Sequence, residues 1–346
     1  MAHSKLKVGV LLGDPRLPYS FSHEGWLGEE EIIAFQQLES ALAQLEGYRF
    51  SYFNDHEQLI DDLRHTRLDL ALNFCDTGYR NNWYLVTHIP ALLEMFEIPY
   101  TGSNGMTLDV SADKSLVRAL ALDLNIPVPS ETFVDLRADP LVLPENYPAL
   151  IKPNTGAGSF GMTRDCVVYD STQAIAYLQR LAGLIDPPEA VIQDFLTGPE
   201  YTVGVIGNPQ SGLTVLPPAE IDYSQLAPDL PPVFTYDAKF DATSPYWNQI
   251  RHRRAELDES TYARLVDYCT RLYRRLGIRD YARIDFRAGP NGTPRLLDVN
   301  PNPTWYADSR LAMMAEWAGY SYADMLDRIL QAAVTRYTIK GDSDKL

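Results

Sequence analysis

The chain has 346 residues, of which 45% are hydrophobic and 11% aromatic, and its 30 Lys and Arg against 46 Asp and Glu give a net charge of −16 at pH 7. The apolar content is enough for a packed core, so a wholly disordered chain is excluded. The charge excludes nucleic acid as the main partner, because phosphate binding along a polyanion needs clustered Lys and Arg. The length predicts two or three domains.

The three cysteines, Cys75, Cys166 and Cys269, lie far apart in the sequence. Their spacing predicts no disulfide framework. No apolar run approaches the roughly 18 residues of a membrane span, and the first one, of about five residues, is too short for a signal peptide. We therefore expect a soluble, cytoplasmic protein without a membrane partner.

The first segment, residues 1–111, alternates strands with helices. The sequence predicts strands over 7–12, 49–53 and 68–74, a helix over 30–45 and a shorter helix over 87–96. Such alternation is typical of an α/β fold with a mostly parallel sheet. Ligands of such sheets bind at the carboxyl ends of the strands, which indicates a site formed by 14–28 and 75–82.

Two further segments follow, 112–196 and 197–346. In the first of them we expect a helix from the N-cap Ser111 to about Leu124, a strand over 149–152, a helix over 171–184 capped by Asp170 or Ser171, and a strand over 191–195. In the second we expect strands over 200–207 and 213–221, a Pro-rich polar stretch over 223–250, a helix over 258–276, a hairpin over 281–300 and a helix near 321–337.

The hairpin over 281–300 brings two carboxylates opposite each other. Asn291-Gly292 is a strong signal for a two-residue turn, because both residue types tolerate a positive φ. The pairs predicted from that turn are Asp285 with Asp298, Arg283 with Asn300, Ile284 with Val299, and Phe286 with Leu297. Side chains alternate along a strand, so both carboxylates share the polar face with the arginine and the asparagine.

Facing carboxylates repel each other, and a cation between them removes that cost. The oxygen donors of Asp285, Asp298 and Asn300 favour Mg²⁺ or Mn²⁺ over zinc. Arg283, on the same face, is placed to stabilise a developing oxyanion. The alternative is an ordinary solvated face of an edge hairpin, since strands with one polar face are common.

A glycine loop, LIKPNTGAGSFGM, contains three glycines in the GxGxxG pattern. That pattern marks a dinucleotide site when a helix starts inside the loop and an acidic residue follows about 20 positions later. Here the pattern at 166–169 predicts a strand instead. Backbone N–H groups of such a loop can wrap phosphate oxygens, with Lys152 before it and Ser159 within it. A flexible hairpin is the alternative.

Lys114, Lys152 and Lys239 stand in acidic or apolar sequence surroundings. A single lysine is usually a solvated surface charge. Together they can bind phosphate only if the fold brings them to one place, which composition alone does not show.

Six stretches occur along the chain in the order DKSLVRALALDLNIPVP, LIKPNTGAGSFGM, VIQDFLTGPEYTVGVIG, YDAKF, ARIDF and LLDVNPNP, and IPALLEMFEIPYTGS precedes them. In this order they resemble the ATP-grasp superfamily and, within it, the D-alanine–D-alanine ligases, over about residues 68–335. The resemblance implies an α/β fold of three subdomains, with ATP between the central and C-terminal ones. Their expected bounds are 1–111, 112–196 and 197–346.

The resemblance also implies roles for individual residues. Lys114, Lys152 and Lys239 match lysines near the nucleotide phosphates, and Ser159 lies in the loop that closes over them. Gln193, Asp194 and Leu196 match the segment that meets adenine, and Glu200 matches the acid near the ribose. Asp285, Asp298 and Asn300 match the Mg²⁺ ligands, and Arg283 matches the arginine that holds the tetrahedral intermediate.

Ser309 lies where the family holds the acceptor's carboxylate, and Phe240 stands where many members have a tyrosine near the second substrate. Arg283, Lys239 and Ser159 are thus the catalytic candidates.

The chain departs from these ligases around the expected first-substrate site. A His-Gly and Gly-Glu-Asp-Gly stretch is replaced at 74–82 by FCDTGYRNN, and the first loop is longer and aromatic. The candidates for an acid that holds an ammonium group are Glu24, Glu29, Glu30 and Glu31. Six aromatic residues suggest either a larger, ring-bearing acid, as in natural-product ligases, or simple packing: Tyr19, Phe21, Trp26, Tyr79, Trp83 and Tyr84.

The implied function is that of an ATP- and Mg²⁺-dependent ligase that joins a substrate carboxylate to the amine of an amino acid through an acyl phosphate. Two alternatives stay open: a D-alanine–D-alanine ligase of peptidoglycan synthesis, and a nucleotide-binding protein without turnover. The expected partners are small carboxylate and amino acid substrates and, as in related ligases, a second copy of the chain. The sequence does not distinguish an amide, ester or imine product.

Overall fold

A computed structural model describes residues 5–19, 25–138, 140–156, 158–241 and 243–343. Within these ranges the predicted α/β architecture is confirmed, with three sheets following one another along the chain. The first layer consists of β1 (Leu6–Leu11), α1 (Glu29–Leu42), β2 (Tyr48–Phe53), α2 (Leu59–His65), β3 (Leu70–Asn73) and α3 (His88–Met95). Its strands are parallel in the order β2-β1-β3, as the continuous apolar run of β1 predicts for a strand buried on both faces.

Two helices lead to the next sheet, α4 (Gly105–Ala112) and α5 (Lys114–Asp123). The predicted N-cap Ser111 is wrong, because Ser111 lies in the last turn of α4. Asp113 caps α5 instead and accepts from the Leu116 N–H at 2.9 Å. A carboxylate at this position also interacts favourably with the positive end of the helix dipole. Helix α5 buries Val117 and Ala121 against the third sheet.

The middle sheet is antiparallel, in the order β4-β7-β5-β6. Its elements are β4 (Glu131–Asp135), β5 (Ala149–Pro153), β6 (Val167–Val168), α6 (Ser171–Ala182) and β7 (Glu189–Asp194). Asp170, one of the two predicted caps, accepts from the Gln173 N–H at 2.9 Å. The glycine loop joins two antiparallel strands, so the predicted strand–loop–strand arrangement is confirmed and a dinucleotide-binding helix is absent from it.

The third sheet has the order β11-β10-β8-β12-β13, with β9 paired to the end of β8. Its elements are β8 (Glu200–Asn208), β9 (Gly212–Val215), β10 (Ala219–Asp222), α7 (Asp237–Phe240), α8 (Pro245–Gln249), β11 (Arg251–Arg254), α9 (Glu259–Leu276), β12 (Tyr281–Ala288), β13 (Pro294–Pro301), α10 (Arg310–Trp317) and α11 (Tyr322–Ser343). The predicted strand over 213–221 is two strands, because Pro217 and Pro218 have no N–H to donate to a ladder.

Helices cover both faces of this third sheet. Helices α5 and α9 pack on one face, and α10 and α11 fill the space between the other face and the first sheet. The first layer is thereby fixed to the sheet that carries the hairpin. In the described ranges, no helix is long and apolar enough to cross a membrane.

The hairpin β12–β13 has the predicted register over one half of its length. The confirmed pairs are Arg283 with Asn300, Ile284 with Val299, and Asp285 with Asp298. A bulge follows, so Phe286 pairs with Leu296 rather than with Leu297. The predicted two-residue turn is wrong, because Gly292 takes a φ of 76° while Asn291 does not adopt a positive φ. The longer loop shifts the register by one residue, and the bulge restores it before the carboxylates.

Candidate active site

Two of the predicted lysines lie where the middle sheet faces the hairpin. Lys152, in β5, is 2% exposed, and its Nζ lies 3.4 Å from Asp298 Oδ2 and 3.5 Å from the Leu297 carbonyl oxygen. Lys114 Nζ lies 3.4 Å from the Asn154 carbonyl oxygen, and burial lowers the pKa of Lys114. The cleft between the two sheets therefore holds concentrated positive charge beside Asp298.

The glycine loop and helix α7 close over the same cleft. Lys239 Nζ donates to Ser159 Oγ at 2.8 Å, and that hydroxyl donates to the Phe234 carbonyl oxygen at 3.2 Å. Burial, followed by the nearby charges on Arg310 and Arg283, lowers the pKa of Lys239 to about 7. An amine in this condition regains its proton when an anion binds beside it.

Arg283 and Asp285 form a partly buried ion pair on β12. Arg283 Nε lies 3.2 Å from Asp285 Oδ1, and its Nη2 lies 3.2 Å from Oδ2. Thr202 Oγ1 and Asn300 Nδ2 donate to the same carboxylate at 2.8 and 3.0 Å. Burial alone would raise its pKa, but the charges on Arg283 and Arg310 and these hydrogen bonds hold the pKa of Asp285 at about 2. The carboxylate is therefore ionised near neutral pH.

Asp285, Asp298 and Asn300 present oxygen donors on one face of the hairpin. In the part of the chain that the structure describes, no three His, Cys, Asp or Glu side chains are grouped so that they could hold a metal by themselves. Mg²⁺ is commonly bound by one or two carboxylates together with substrate phosphates. The donor set fits such an ion and does not fit a structural zinc site. The assignment of these three ligands stays a prediction.

The predicted adenine segment lies at the edge of the cleft. Gln193, Lys114 and Leu297 line a small pocket there. Gln193 is 4% exposed and its Nε2 donates to Glu131, while its Oε1 has no hydrogen-bond partner among the described residues. A buried acceptor without a partner is costly, so this oxygen favours a ligand that brings a donor, such as the amino group of adenine.

Glu200, the predicted ribose acid, is engaged by protein groups. Tyr223 Oη donates to it at 2.8 Å, and Arg287 Nη1 lies 3.3 Å away. Burial raises the pKa of Glu200. Leu196 is buried, and Asp194 is the last residue of β7. A ribose hydroxyl would therefore share the Glu200 carboxylate with the tyrosine and the arginine.

Arg310 is a site residue that the sequence interpretation missed. It is the first residue of α10, and its Nη1 lies 3.5 Å from Thr202 Oγ1. Ser309, the predicted acceptor-binding residue, caps α10 and accepts from the Ala312 N–H at 3.2 Å. A positive charge in the first turn of a helix is unfavourable, because it lies at the positive end of the helix dipole. An arginine directly after the N-cap Ser309 was therefore the feature of the sequence that could have indicated a functional role for Arg310.

A partly buried acid near the carboxyl end of β3, Asp76, was also missed. Burial, with the nearby charge on Glu31, raises the pKa of Asp76 to about 7. Burial raises the pKa of Tyr306, and the nearby negative charges of Asp76 and Glu31 raise it further. Of the other predicted acids, Glu29 and Glu30 are exposed, and Glu24 lies outside the described residues.

Those of the predicted aromatic residues that the structure describes do not lie together in one group. Tyr79 stacks on His56 at 5.8 Å between ring centres, Trp83 meets Tyr84 edge-on at 5.6 Å, and Trp26 is 51% exposed. Of these aromatic residues, Tyr19 lies near Asp76, whose charge raises the pKa of the tyrosine further after the effect of burial. Phe21 and the side chain of Phe240 lie outside the described part of the structure. Tyr79 and Trp83 therefore pack against neighbouring rings, whereas Tyr84 is 55% exposed.

A cleft between an antiparallel sheet with a glycine loop and a sheet with paired carboxylates is typical of an ATP-grasp ligase. The family model described as "D-ala D-ala ligase C-terminus" matches residues 139–331, more than half of the chain. The chain therefore belongs to the D-alanine–D-alanine ligase family, and it is an ATP-dependent carboxylate–amine ligase.

Individual relatives are distant. The chain is 28% identical over 247 residues to "D-alanine--D-alanine ligase" of a Marinomonas strain, covering 71% of this chain and 72% of that one. A crystal structure of the D-alanine–D-alanine ligase from Bacillus anthracis complexed with ATP superposes with a TM-score of 0.72 at 22% identity, covering 97% and 99% of the two chains. The VanG D-Ala:D-Ser ligase from Enterococcus faecalis gives a TM-score of 0.68 at 17% identity, covering 95% and 100%. These structures confirm the predicted fold.

Proposed function

We propose that the chain uses ATP and Mg²⁺ to convert the carboxylate of a small molecule into an acyl phosphate, and then joins it to the amine of an amino acid. One observation carries this proposal. Lys152 of the middle sheet lies 3.4 Å from Asp298 of the hairpin, so a phosphate lysine and a metal-ligand candidate meet across the cleft. A phosphate group between the two sheets would contact both.

In the first step a substrate carboxylate oxygen attacks the γ-phosphorus of ATP, and ADP leaves. Lys114 and Lys152 supply buried positive charge beside Asp298, and Lys239 supplies more from the closing segment. Mg²⁺, when bound, screens the phosphate oxygens during the transfer. The Lys239–Ser159 contact ties the glycine loop to α7, and this closure keeps water away from the acyl phosphate.

In the second step the amine attacks the acyl carbon, the carbon–oxygen bond to phosphate breaks, and inorganic phosphate leaves. The oxygen of the tetrahedral intermediate carries a negative charge, which Arg283 would stabilise. Asp285 fixes the guanidinium through two hydrogen bonds, and Thr202 and Asn300 fix Asp285 in turn. An arginine held in this way needs little reorganisation during the reaction.

We propose a first substrate other than D-alanine, in the synthesis of a dipeptide or another small natural product. The support is the end of β3, where FCDTGYRNN replaces the family's motif and the partly buried Asp76 lies near Tyr306. A D-alanine–D-alanine ligase is the second candidate, and the names of the relatives favour it. A nucleotide-binding protein without turnover is disfavoured, because pure binding does not need the Arg283–Asp285 pair.

ADP release over a panel of L- and D-amino acids and small aromatic or cyclic carboxylic acids, alone and in pairs, tests the proposal. We expect release with a pair that includes one amino acid. Release with D-alanine alone would identify the second candidate, and no release with any pair would identify the binding protein.

A variant sharpens the same assay. Arg283→Ala should keep its affinity for ATP within about threefold and lose ligation by about 10²–10³-fold, the effect of removing one oxyanion contact. Arg254→Ala, on the exposed edge strand β11, is the matched control and should ligate normally. Normal ligation by Arg283→Ala would show that this role is wrong.

A further inference from the structure

One short segment of the first layer contacts both strands of the hairpin β12–β13 at its open end. The Gly102 N–H donates to Asp280 Oδ2 at 2.8 Å, and Asp280 directly precedes β12. The next N–H along the chain, that of Ser103, donates to Asn302 Oδ1 at 2.8 Å, and Asn302 directly follows β13. Two consecutive amides therefore join the start of one strand to the end of the other. We call these four residues the hairpin clamp.

The backbone conformations of the clamp make both hydrogen bonds possible. Asp280 takes a φ of 65° and Asn302 a φ of 62°, in a region that Asp and Asn adopt more readily than most residues with a side chain. Gly102 has a φ of 88°, and a Cβ atom there would lie 2.5 Å from Asn302 Oδ1. The close approach of the two segments therefore requires glycine at position 102.

Buried groups fix the Asp280 end of the clamp. Asp280 is fully buried, and its carboxylate also accepts from Arg336 Nη2 and Asn208 Nδ2, both at 2.8 Å. Arg336, in α11, donates through the same nitrogen to the Tyr100 carbonyl oxygen at 2.7 Å. The carboxylate thus joins the first layer, β8 and α11. Moving any of these elements away would leave a buried charge without a partner, which is costly.

The Asn302 end of the clamp lies next to the candidate metal ligands. Asn302 follows Asn300 by two residues, and Asn300 pairs with Arg283 on the neighbouring strand. Asn300 Nδ2 donates to Asp285 at 3.0 Å, so the Oδ1 atom of Asn300 is the one that remains for a metal ion. The position of that oxygen depends on where β13 ends, and Asn302 ties this end to Ser103.

The same segment of the first layer also contacts the carboxyl end of β3. The fully buried Thr101 accepts through Oγ1 from the N–H of Asn73, the last residue of β3, at 3.0 Å. Asp76, in the proposed first-substrate site, lies three residues later. Residues 101–103 therefore connect the strand end that precedes Asp76 with the strand end that follows Asn300.

We infer that Asn302 is a positioning residue for the metal ion: bonded to Ser103, it holds Asn300, and with it Mg²⁺, at a fixed place relative to the first layer. This inference rests on the proposed function, in which Asn300 binds the ion. A carboxylate bound at the first layer attacks a phosphate beside the ion only when the two are correctly placed. A displacement of about 1 Å caused by a remote substitution can cost about 10²-fold in rate.

The test measures Mn²⁺ binding to the full-length protein in the presence of ADP by electron paramagnetic resonance, so the readout does not depend on turnover. Asn302→Gly keeps the positive φ and removes the acceptor. It should weaken Mn²⁺ binding by about tenfold or more and change the affinity for ADP without metal by less than about threefold. Asn302→Asp keeps an acceptor oxygen and should bind Mn²⁺ at least as tightly as the wild type. The kcat for ADP release should fall in Asn302→Gly and be restored in Asn302→Asp.

Asn291→Gly is the matched control, because it makes the same substitution at the exposed turn of the hairpin, and it should bind Mn²⁺ as the wild type does. Thermal unfolding shows whether each variant is folded, and Asn302→Ser replaces Asn302→Gly if that protein is not. Unchanged Mn²⁺ affinity in the folded variant, or an equal loss in Asn302→Asp, would overturn the role of Asn302 while the proposed function stands. Absence of Mn²⁺ binding by the wild type would overturn the inference as well, and absence of ADP release with any pair of substrates would overturn both.

Discussion

The proposed nucleotide half of the cleft and the proposed substrate half are built differently. The nucleotide half, with Lys152, Gln193 and Asp298, stands on strands whose register fixes each side chain. The substrate half, with Asp76 and Arg310, stands on a loop and on the first residue of a helix. The proposed phosphate transfer needs groups held in a fixed geometry. Residues that select a substrate commonly lie in loops and at the ends of helices and strands, because substitutions there do not disturb the packing of the core.

The largest expected effect tests the nucleotide half. Lys152→Met should lower kcat/KM for ATP by about 10³-fold, because it removes the buried charge that offsets Asp298 and the transferred phosphate. ADP release as a function of ATP concentration measures it. Lys7→Met, at an exposed position of β1, should behave as the wild type. A loss smaller than about tenfold would show that the cleft does not bind phosphate at Lys152.

The next largest effect is expected at Asp76, in the proposed substrate half, and concerns the pH dependence of stability. The pKa of Asp76 is raised from 3.8 to about 7, chiefly by burial. The folded protein thus keeps a proton that the unfolded chain releases, and its stability falls as the pH rises from about 4 to 7. Asp76→Asn should remove this loss and raise Tm at pH 8 by about 2–4 °C, while the gain disappears near pH 4.

The same variant should raise KM for the first substrate by about tenfold, because the charge near Tyr306 is lost. Asp61→Asn, at an exposed position of α2, serves as the control for both measurements. A lower Tm for Asp76→Asn at pH 8 would show that the carboxylate stabilises the fold rather than serving a ligand.

Lys239 connects the two halves and gives a smaller, thermodynamic signal. Its pKa of about 7 arises from burial and from the charges on Arg310 and Arg283, against the weaker attraction of Asp285 and Asp298. At pH 8 the free amine is mostly neutral, and nucleotide phosphate restores its charge, so binding should take up to about one proton. Calorimetry in two buffers of different ionisation enthalpy measures this uptake. Equal uptake by Lys239→Met would contradict the assignment.

The smallest effect concerns the contact between the first layer and the middle sheet. Tyr84 Oη donates to the Asp186 carbonyl oxygen at 2.7 Å. Tyr84→Phe removes this bond and should lower Tm by about 1–3 °C, since an exposed hydrogen bond contributes about 1 kcal/mol. Tyr262→Phe, at an exposed position of α9, is the control. A change in kcat above about threefold would show that the contact also controls closure of the cleft.

The sequence predicted the strands of the proposed nucleotide half well, because the alternation of side chains along a strand is a local pattern. Asn291-Gly292 indicated the position of the hairpin. The predicted pairing of Asp285 with Asp298 is confirmed although the predicted turn is wrong. The bulge could not be predicted from the alternation of side chains, because an inserted residue leaves no local signal in that pattern.

The substrate half was predicted less well, because its contacts join distant parts of the chain. Arg310 approaches Thr202, which lies 108 positions away, and no local pattern indicates that pairing. Asp76 was overlooked since its neighbours Tyr19, Glu31 and Tyr306 come from other segments of the chain. Ser111 illustrates a different error, in which a valid capping residue stood two positions before the residue that caps the helix.

The central claim, that a carboxylate is activated by phosphate transfer, is tested most directly by oxygen transfer. A carboxylate substrate that releases ADP is labelled with ¹⁸O in both oxygens and turned over with unlabelled ATP. Attack of the carboxylate on the γ-phosphorus places one ¹⁸O in each phosphate released, which mass spectrometry detects. We expect one labelled oxygen per phosphate formed. Unlabelled phosphate at the same turnover would contradict the acyl phosphate and with it the proposed function.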